Sequence, residues 1–154
     1  MIQSNKTINS IFLFLLIVSL ALVAFIFFVW NDQGKVEEIE LVKKNDEINY
    51  WIDTCSIEHD GHTISVSGWG YLEDMPYVKH EVYVKSKTGG FYKLNTIRTK
   101  RVDARKFLKL EEEFDKIGFN SSLRALKGND FTNEIVFTMR GPYGKKANVE
   151  YTCK

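Results

Sequence analysis

Between Ile11 and Trp30 the chain reads IFLFLLIVSLALVAFIFFVW, twenty positions with no charge and one polar side chain, Ser19. At about 1.5 Å per residue, a helix of that length covers roughly 30 Å, the thickness of a bilayer's hydrocarbon core. The run therefore predicts a membrane-spanning α-helix, with the folded part of the protein on its C-terminal side. Two readings compete. A cleaved signal peptide has an apolar region of about 7–15 residues before a small-x-small site. Here the run is longer, its nearest small pair, Ser19 and Ala21, lies in its middle, and no lipoprotein-type Cys comes after it. A buried helix of a soluble protein is the other competitor. Trp30, at the far edge, suits the aromatic belt of a membrane interface.

Orientation rests on few charges. Residues 1–10 form a short stub with Lys6, a free amine and no acid, whereas Asn31 to Glu40 holds Lys35 against Asp32, Glu37, Glu38 and Glu40. The excess of cationic groups is expected on the cytoplasmic side. That puts the N-terminus in the cytoplasm and the C-terminal part in the periplasm or outside the cell, anchored in the cytoplasmic (inner) membrane. The two cysteines agree. Cys55 and Cys153 both lie beyond the span, and an even pair in a translocated domain reads as a disulfide. Closing a loop of about 100 residues is worth roughly 4.7 kcal/mol in the chain-entropy model. Two buried free thiols, or an incomplete metal pair, are the alternatives.

Charge narrows the partners. The chain carries 21 Lys plus Arg and 20 Asp plus Glu, a net charge of +1. Such a balance provides no field to recruit nucleic acid. The organisation expected is a stub over 1–10, a transmembrane helix over 11–30, a juxtamembrane spacer over 31–48 and one domain over 49–154. The spacer, charged and nearly free of aromatics, reads as partly helical through Val36, Ile39 and Val42 or Lys43. Its alternative is an edge strand over Glu38 to Val42.

From Asn49 onward short alternating runs are broken by turn residues, as in antiparallel sheet. Candidate strands cover Tyr50 to Glu58, Thr63 to Tyr71, Glu81 to Lys85, Phe91 to Ile97, Phe119 to Leu126, Asn133 to Arg140 and the segment through Val149, Tyr151 and Cys153. His59-Asp60-Gly61-His62, Lys87-Thr88-Gly89-Gly90 and Gly141-Pro142-Tyr143-Gly144 mark turns. Only Val102 to Phe114 looks helical. About seven short strands argue a mainly β fold, an immunoglobulin-like antiparallel β-sandwich, with an open barrel as competitor.

Gly68-Trp69-Gly70 at a strand end, Arg101-Val102-Asp103 before the helical stretch and Gly118-Phe119 opening the next strand resemble a recurring pattern. It is similar to that of a β-sandwich module of bacterial envelope proteins, some associated with surface-polysaccharide assembly. The pattern would read roughly G-W-A, R-x-D-V and G-F, so Gly70 and Ala104 depart from it. The resemblance covers Ile57 to about Tyr151. It implies a fold and a compartment and supplies no catalytic residue.

Motifs for chemistry are scarce. The chain has no G-x-S-x-G elbow, P-loop, H-E-x-x-H or dinucleotide-binding glycine triplet. His59 and His62 flank a turn with Asp60, and His80 is the remaining histidine. Zinc needs three or four converging ligands, so the pattern reads as polar turn residues, with no metal and no cofactor expected. Asn120-Ser121-Ser122 matches a glycosylation sequon, which matters only in a eukaryotic secretory pathway.

Arg98, Lys100, Arg101, Arg105, Lys106 and Lys109 precede Glu111, Glu112, Glu113 and Asp115. On one long helix these charges would offset each other with acids at the C-terminal end, the order a helix dipole disfavours. The run reads as a solvated face, or as a contact for phosphate head groups or an anionic glycan through Arg101 and Arg105. Among the aromatics, Trp69 is expected to pack between sheets. Tyr83 is expected outward, because Val82 and Val84 claim the inner face. The binding candidates are therefore Trp69, Tyr83, Arg101 and Arg105, with no catalytic residue. The function expected is a non-catalytic binding or assembly module for an envelope protein partner or surface glycan. The alternative is a small hydrolase or transferase acting on a cell-surface glycan.

Overall fold

The apolar run lies inside one continuous α-helix, α1, spanning Ile2–Asp32, in a computed structural model that describes residues 2–32, 35–36, 38–39, 48–58, 61–73, 75–124 and 131–154. Helix α1 thus extends past both ends of the expected span. Its window Thr7–Val29 has a mean hydropathy of 3.2 and no residue buried against protein. The helix is long and apolar enough to cross a membrane, a property that a signal sequence near the N-terminus shares. The side chains of Lys6 and Trp30, on which orientation and interface arguments drew, lie outside the described residues.

The second unit, 34–154, is mainly β. Its strands are β1 (Lys35–Val36), β2 (Ile48–Ile57), β3 (Thr63–Leu72), β4 (Lys79–Ser86), β5 (Phe91–Lys93), β6 (Asn95–Thr99), β7 (Gly118–Arg124), β8 (Phe131–Arg140) and β9 (Lys146–Thr152). A short helix α2 (Val102–Phe107) and a 3-10 turn (Glu112–Lys116) connect β6 to β7. The strands form two antiparallel sheets of sandwich-like arrangement, ordered β1-β5-β4-β8-β9 and β2-β3-β7-β6.

Among the described residues nine strands replace the expected seven or so, for two reasons. The stretch Phe91 to Ile97 is not one strand. Residues 91–93 pair with β4 and residues 95–99 with β7, and the chain changes sheet at Leu94, buried and bonded through its N–H to the Val82 carbonyl at 2.8 Å. The segment read as spacer also contributes, since Lys35 and Val36 pair with Tyr92 and Phe91. The helical and edge-strand readings at Val42 and Lys43, like the end of β7's expected run at Leu126, concern positions outside the described residues.

Strand β3 alternates half-buried and buried without a break. Its inner side chains, Ile64, Val66 and Leu72, join Val82 and Val84 of β4, Phe119 of β7 and Ile135, Phe137 and Met139 of β8 in one core. Phe119 and Phe137 stack across the sheets with ring centroids 4.5 Å apart. Each fully buried Val, Ile or Phe contributes about 1.5–3 kcal/mol, so the period-two pattern fixes the register strongly. Cys55 of β2 and Cys153 after β9 stand at disulfide distance, with Cα–Cα 5.3 Å and a sequence separation of 98. They tie an edge of one sheet to an edge of the other.

The two glycines around Trp69 have separate reasons. A Cβ on Gly68 would collide with the Trp51 carbonyl oxygen of β2, and one on Gly70 would lie 2.7 Å from the Phe137 ring. An alanine at the second position, as in the resembled pattern, would press on that ring.

The helical stretch also differs from expectation. Helix α2 stops at Phe107, and Lys109 adopts φ 56. The acids from Glu112 to Asp115 therefore open a separate 3-10 turn instead of closing a long helix. Asp103 sits in the first turn of α2 and Arg105 and Lys106 in its last, the order the helix dipole favours.

Candidate functional site: the outer face of the four-stranded sheet

Side chains of β2 and β3 that point away from the core form the most distinctive surface among the described residues. Trp51 of β2 lies directly opposite Trp69 of β3, and directly opposed side chains on one face are in contact range. Trp51 is 61% exposed. Trp69 stacks on Tyr71 at a centroid distance of 6.3 Å and an interplanar angle of 24°. Tyr71 in turn meets the edge of Phe114 at 5.7 Å. Four aromatic rings thus run in a line from the free edge of β2 toward the 3-10 turn.

A charged group borders the line. The Arg101 guanidinium, half-buried, donates to Asp53 on β2 and, at 2.8–3.1 Å, to both carboxylate oxygens of Asp103 on α2. Its side chain passes over Gly118, where a Cβ would collide with it. Hydrogen bonds from Arg101 hold Asp103 down to about 2, and those carboxylates raise Arg101 further. Arg105 pairs with Asp115 through Nε–Oδ1 at 2.6 Å. Below this row the face turns to hydroxyls and amides, with Thr54 and Ser67 hydrogen-bonded at 2.7 Å and Ser67 opposite Asn120.

The structure brings Trp69 and Arg101 to this surface, keeps Arg105 on α2 against Asp115, and buries Tyr83. Trp69 does not pack between the sheets. It lies on the outer face with Ser65 and Ser67, half-buried by its aromatic neighbours, because the core positions of β3 fall on the even-numbered residues. Arg101 and Arg105 are present but committed, each to carboxylates. Tyr83 is the correction. It does point away from Val82 and Val84, yet it is only 5% exposed, packed with Ile39 and Val136 and flanked by Val36 and Phe91. The segment read as spacer covers it. Trp51, the most exposed ring of the row, is not among the four candidates. Alternation with the inward Ile52 would have placed it outward.

The outer face of the other sheet holds a different arrangement. Glu81, 3% exposed, accepts Lys93 at 2.6 Å, Lys79 at 3.2 Å, Arg140 at 2.8 Å and the Tyr83 hydroxyl at 3.2 Å. Burial alone would raise its carboxyl, but the hydrogen bonds from Lys93 and Lys79 and the Arg140 charge outweigh that and hold it at about 2.

Of the histidines, only His62 and His80 lie among the described residues. His59 and Asp60 lie outside the described residues, and His62 is half-buried. His80 sits in the core, its Nε2 donating to the Gly70 carbonyl at 2.8 Å and its ring 5.6 Å from both Phe119 and Phe137. Among the described residues no group of three or more His, Cys, Asp or Glu could hold a metal ion.

Chemically, the sheet face can stack planar or pyranose-like faces on Trp51 and offer acceptors and hydroxyls beside it. Glycoside hydrolysis needs one carboxyl kept protonated by a raised pKa opposite a second, ionised one. Here Asp53 and Asp103 share one guanidinium, and Asp103 is held fully ionised. A scan against protein-family models and searches of curated proteins and of solved structures return no match to this chain.

Proposed function

We propose that the chain is a single-pass envelope protein whose β domain is a non-catalytic binding module taking a surface glycan on the Trp51–Trp69 face. One observation carries the reading: a tryptophan 61% exposed on a sheet edge, directly opposite a second tryptophan and beside an Arg–Asp–Asp cluster. An exposed ring of that size is costly in water and is what a sugar's C–H face stacks upon. Each arginine is matched by carboxylates, three acids to two guanidinium groups. That balance favours an uncharged glycan over the anionic one that the basic run suggested.

The fold belongs with this reading as an immunoglobulin-like sandwich. The order β2-β3-β7-β6 corresponds to strands A-B-E-D, and β5-β4-β8-β9 to a C′ strand followed by C-F-G. The cysteine pair would then join strands A and G instead of the B and F strands of antibody domains. The compartment is argued from the span and the bridge: N-terminus in the cytoplasm, domain on the far side of the cytoplasmic membrane.

The test is titration of the full-length protein in nanodiscs with neutral oligosaccharides released from its own envelope, followed by tryptophan fluorescence and calorimetry. Trp51→Ala should weaken binding at least tenfold while leaving the unfolding midpoint within a degree or two, because the ring is mostly exposed. Undiminished binding by Trp51→Ala would remove this face from the function. Preference for polyuronates or phosphoglycans over neutral sugars would overturn the ligand class.

A further inference from the structure

The hairpin joining β8 to β9 carries features that the glycan face does not use. Its tip is Gly141-Pro142-Tyr143-Gly144-Lys145, closed by the Gly141 N–H donating to the Lys145 carbonyl at 2.8 Å and the Lys145 N–H to the Pro142 carbonyl at 3.3 Å. Tyr143 and Gly144 both adopt positive φ, 59° and 76°. That is the demand of a two-residue hairpin turn of the primed type, whose first central position favours Asn, Asp or Gly. A tyrosine there is strained, and strain retained at a surface position points toward use. Its side chain is 101% exposed, the most open large hydrophobic side chain among the described residues. The turn displays an aromatic ring at the cost of its own geometry.

The strands behind the tip are cationic. Lys79 lies directly opposite Arg140, and Arg140 directly opposite Lys146. This row of three cations crosses β4, β8 and β9 on the outer face, and Lys145 closes the tip beside it. Like charges placed opposite each other across strands are destabilising. The ion pairs of Lys79 and Arg140 go to a single carboxylate, Glu81, which Lys93 shares. Three cations on one acid leave an excess of positive charge beside an exposed tyrosine.

We propose that this hairpin is a membrane-surface contact, with Tyr143 seated at the headgroup level and Lys79, Arg140, Lys145 and Lys146 facing anionic phospholipid headgroups. Tyrosine's apolar ring and polar tip match the bilayer interface, and clustered Lys and Arg side chains are drawn to surfaces of anionic lipid. Chain order supplies the occupant. Helix α1 ends at Asp32 and β1 begins at Lys35, so a domain behind an uncleaved span is never far from lipid. The proposal does not depend on the glycan reading, since it uses the other sheet.

The test is hydrogen exchange of the full-length protein in nanodiscs, comparing zwitterionic phosphatidylcholine with discs containing phosphatidylglycerol. Amides of the hairpin from Arg140 to Lys146 should exchange several-fold more slowly in the anionic discs, and the difference should shrink as salt rises, since exposed charges are screened over about 8 Å at physiological ionic strength. Tyr143→Asn suits the turn better than tyrosine, so the fold is retained. Each variant is scored by its own anionic-minus-zwitterionic difference, which turn stability does not move. Tyr143→Asn and the pair Lys145→Gln with Lys146→Gln should each reduce that difference, the pair by roughly fivefold per charge removed. Equal exchange in both discs overturns the proposal. So does protection produced by soluble polyphosphate or polyuronate but not by anionic lipid, which would assign the hairpin to an acidic polymer.

Discussion

Acid should destabilise this domain well above the pH at which its carboxylates titrate, and His80 is the reason. The imidazole is 3% exposed, wedged between Phe119 and Phe137, with Nε2 donating to Gly70 and Nδ1 without a hydrogen-bond partner among the described residues. Burial pushes it down to about 4. The Gly70 hydrogen bond opposes that shift weakly, and the Arg98 charge adds to it. An unfolded chain takes up the proton near pH 6.5. Between those values the unfolded state binds more proton than the folded one, so stability falls as pH falls and is regained as pH rises. At about 1.4 kcal/mol for each pH unit, the loss from pH 6.5 to pH 4 comes to about 3 kcal/mol. That is a large part of the roughly 5–15 kcal/mol a domain of this kind possesses.

Denaturant titrations of the full-length protein in nanodiscs at pH 7, 6, 5 and 4.5, read by tryptophan emission, would measure it. Glu81 and Asp103, both held at about 2, contribute their own pH dependence only below about 4.5, so the window belongs to the histidine. His80→Phe should lower stability at pH 7, because the bond to Gly70 is lost, yet flatten the slope between pH 6.5 and 4.5. A flat wild-type profile over that range, or an unchanged slope in His80→Phe, would refute the reasoning.

The packing sets three further outcomes. Replacing Cys55 and Cys153 together by Ser should cost about 4–5 kcal/mol, as expected for a bridge closing roughly 100 residues, and the wild-type melting temperature should fall to the variant's on reduction. Gly68→Ala should destabilise by at least about 2 kcal/mol by driving β2 off β3, visible as a lowered midpoint; an unchanged midpoint would exclude the close approach of the Trp51 carbonyl. Glu81→Gln should cost about 1–3 kcal/mol, since Lys79, Lys93 and Arg140 lose their shared acceptor but can turn to water; the loss should diminish as salt screens the remaining cations.

Much of the fold could be read from alternation. Val82 and Val84 fall on the inner face where period-two reasoning put them, and the cysteine pairing emerged from count and compartment alone. What failed was non-local. Nothing within Phe91 to Ile97 signals that Leu94 hands the chain from one sheet to the other, because both halves are equally strand-like. The cover over Tyr83 depends on Ile39, more than forty residues earlier in a segment whose charges look like a linker. Alternation tells which side of a sheet a residue faces, but not whether that side meets solvent. Trp69 was misplaced by the opposite error: its size was taken as a reason for burial although its own register, shared with Ser65 and Ser67, pointed outward.

The arginines show how the site and the fold are joined. Among the described residues strand β2 is an edge, paired on one side, and its register with β3 shifts between Ile52 and Thr54. A bulge there bends the strand and re-aims side chains, and an edge bulge is where a strand would fray. Two ties bracket it. Arg101 reaches from the start of α2 to Asp53 at the shift itself, and Cys55 is joined to Cys153 two residues on. Trp51 lies two residues before Asp53, so its position opposite Trp69 is fixed by these ties and by Gly68, whose missing side chain admits the Trp51 carbonyl. Arg101, one member of the basic run that looked like a ligand contact in the sequence, is therefore committed to holding the aromatic edge in place. In the proposed role, an aromatic edge held this way loses less freedom when a ligand stacks on it, which is where preorganisation strengthens affinity.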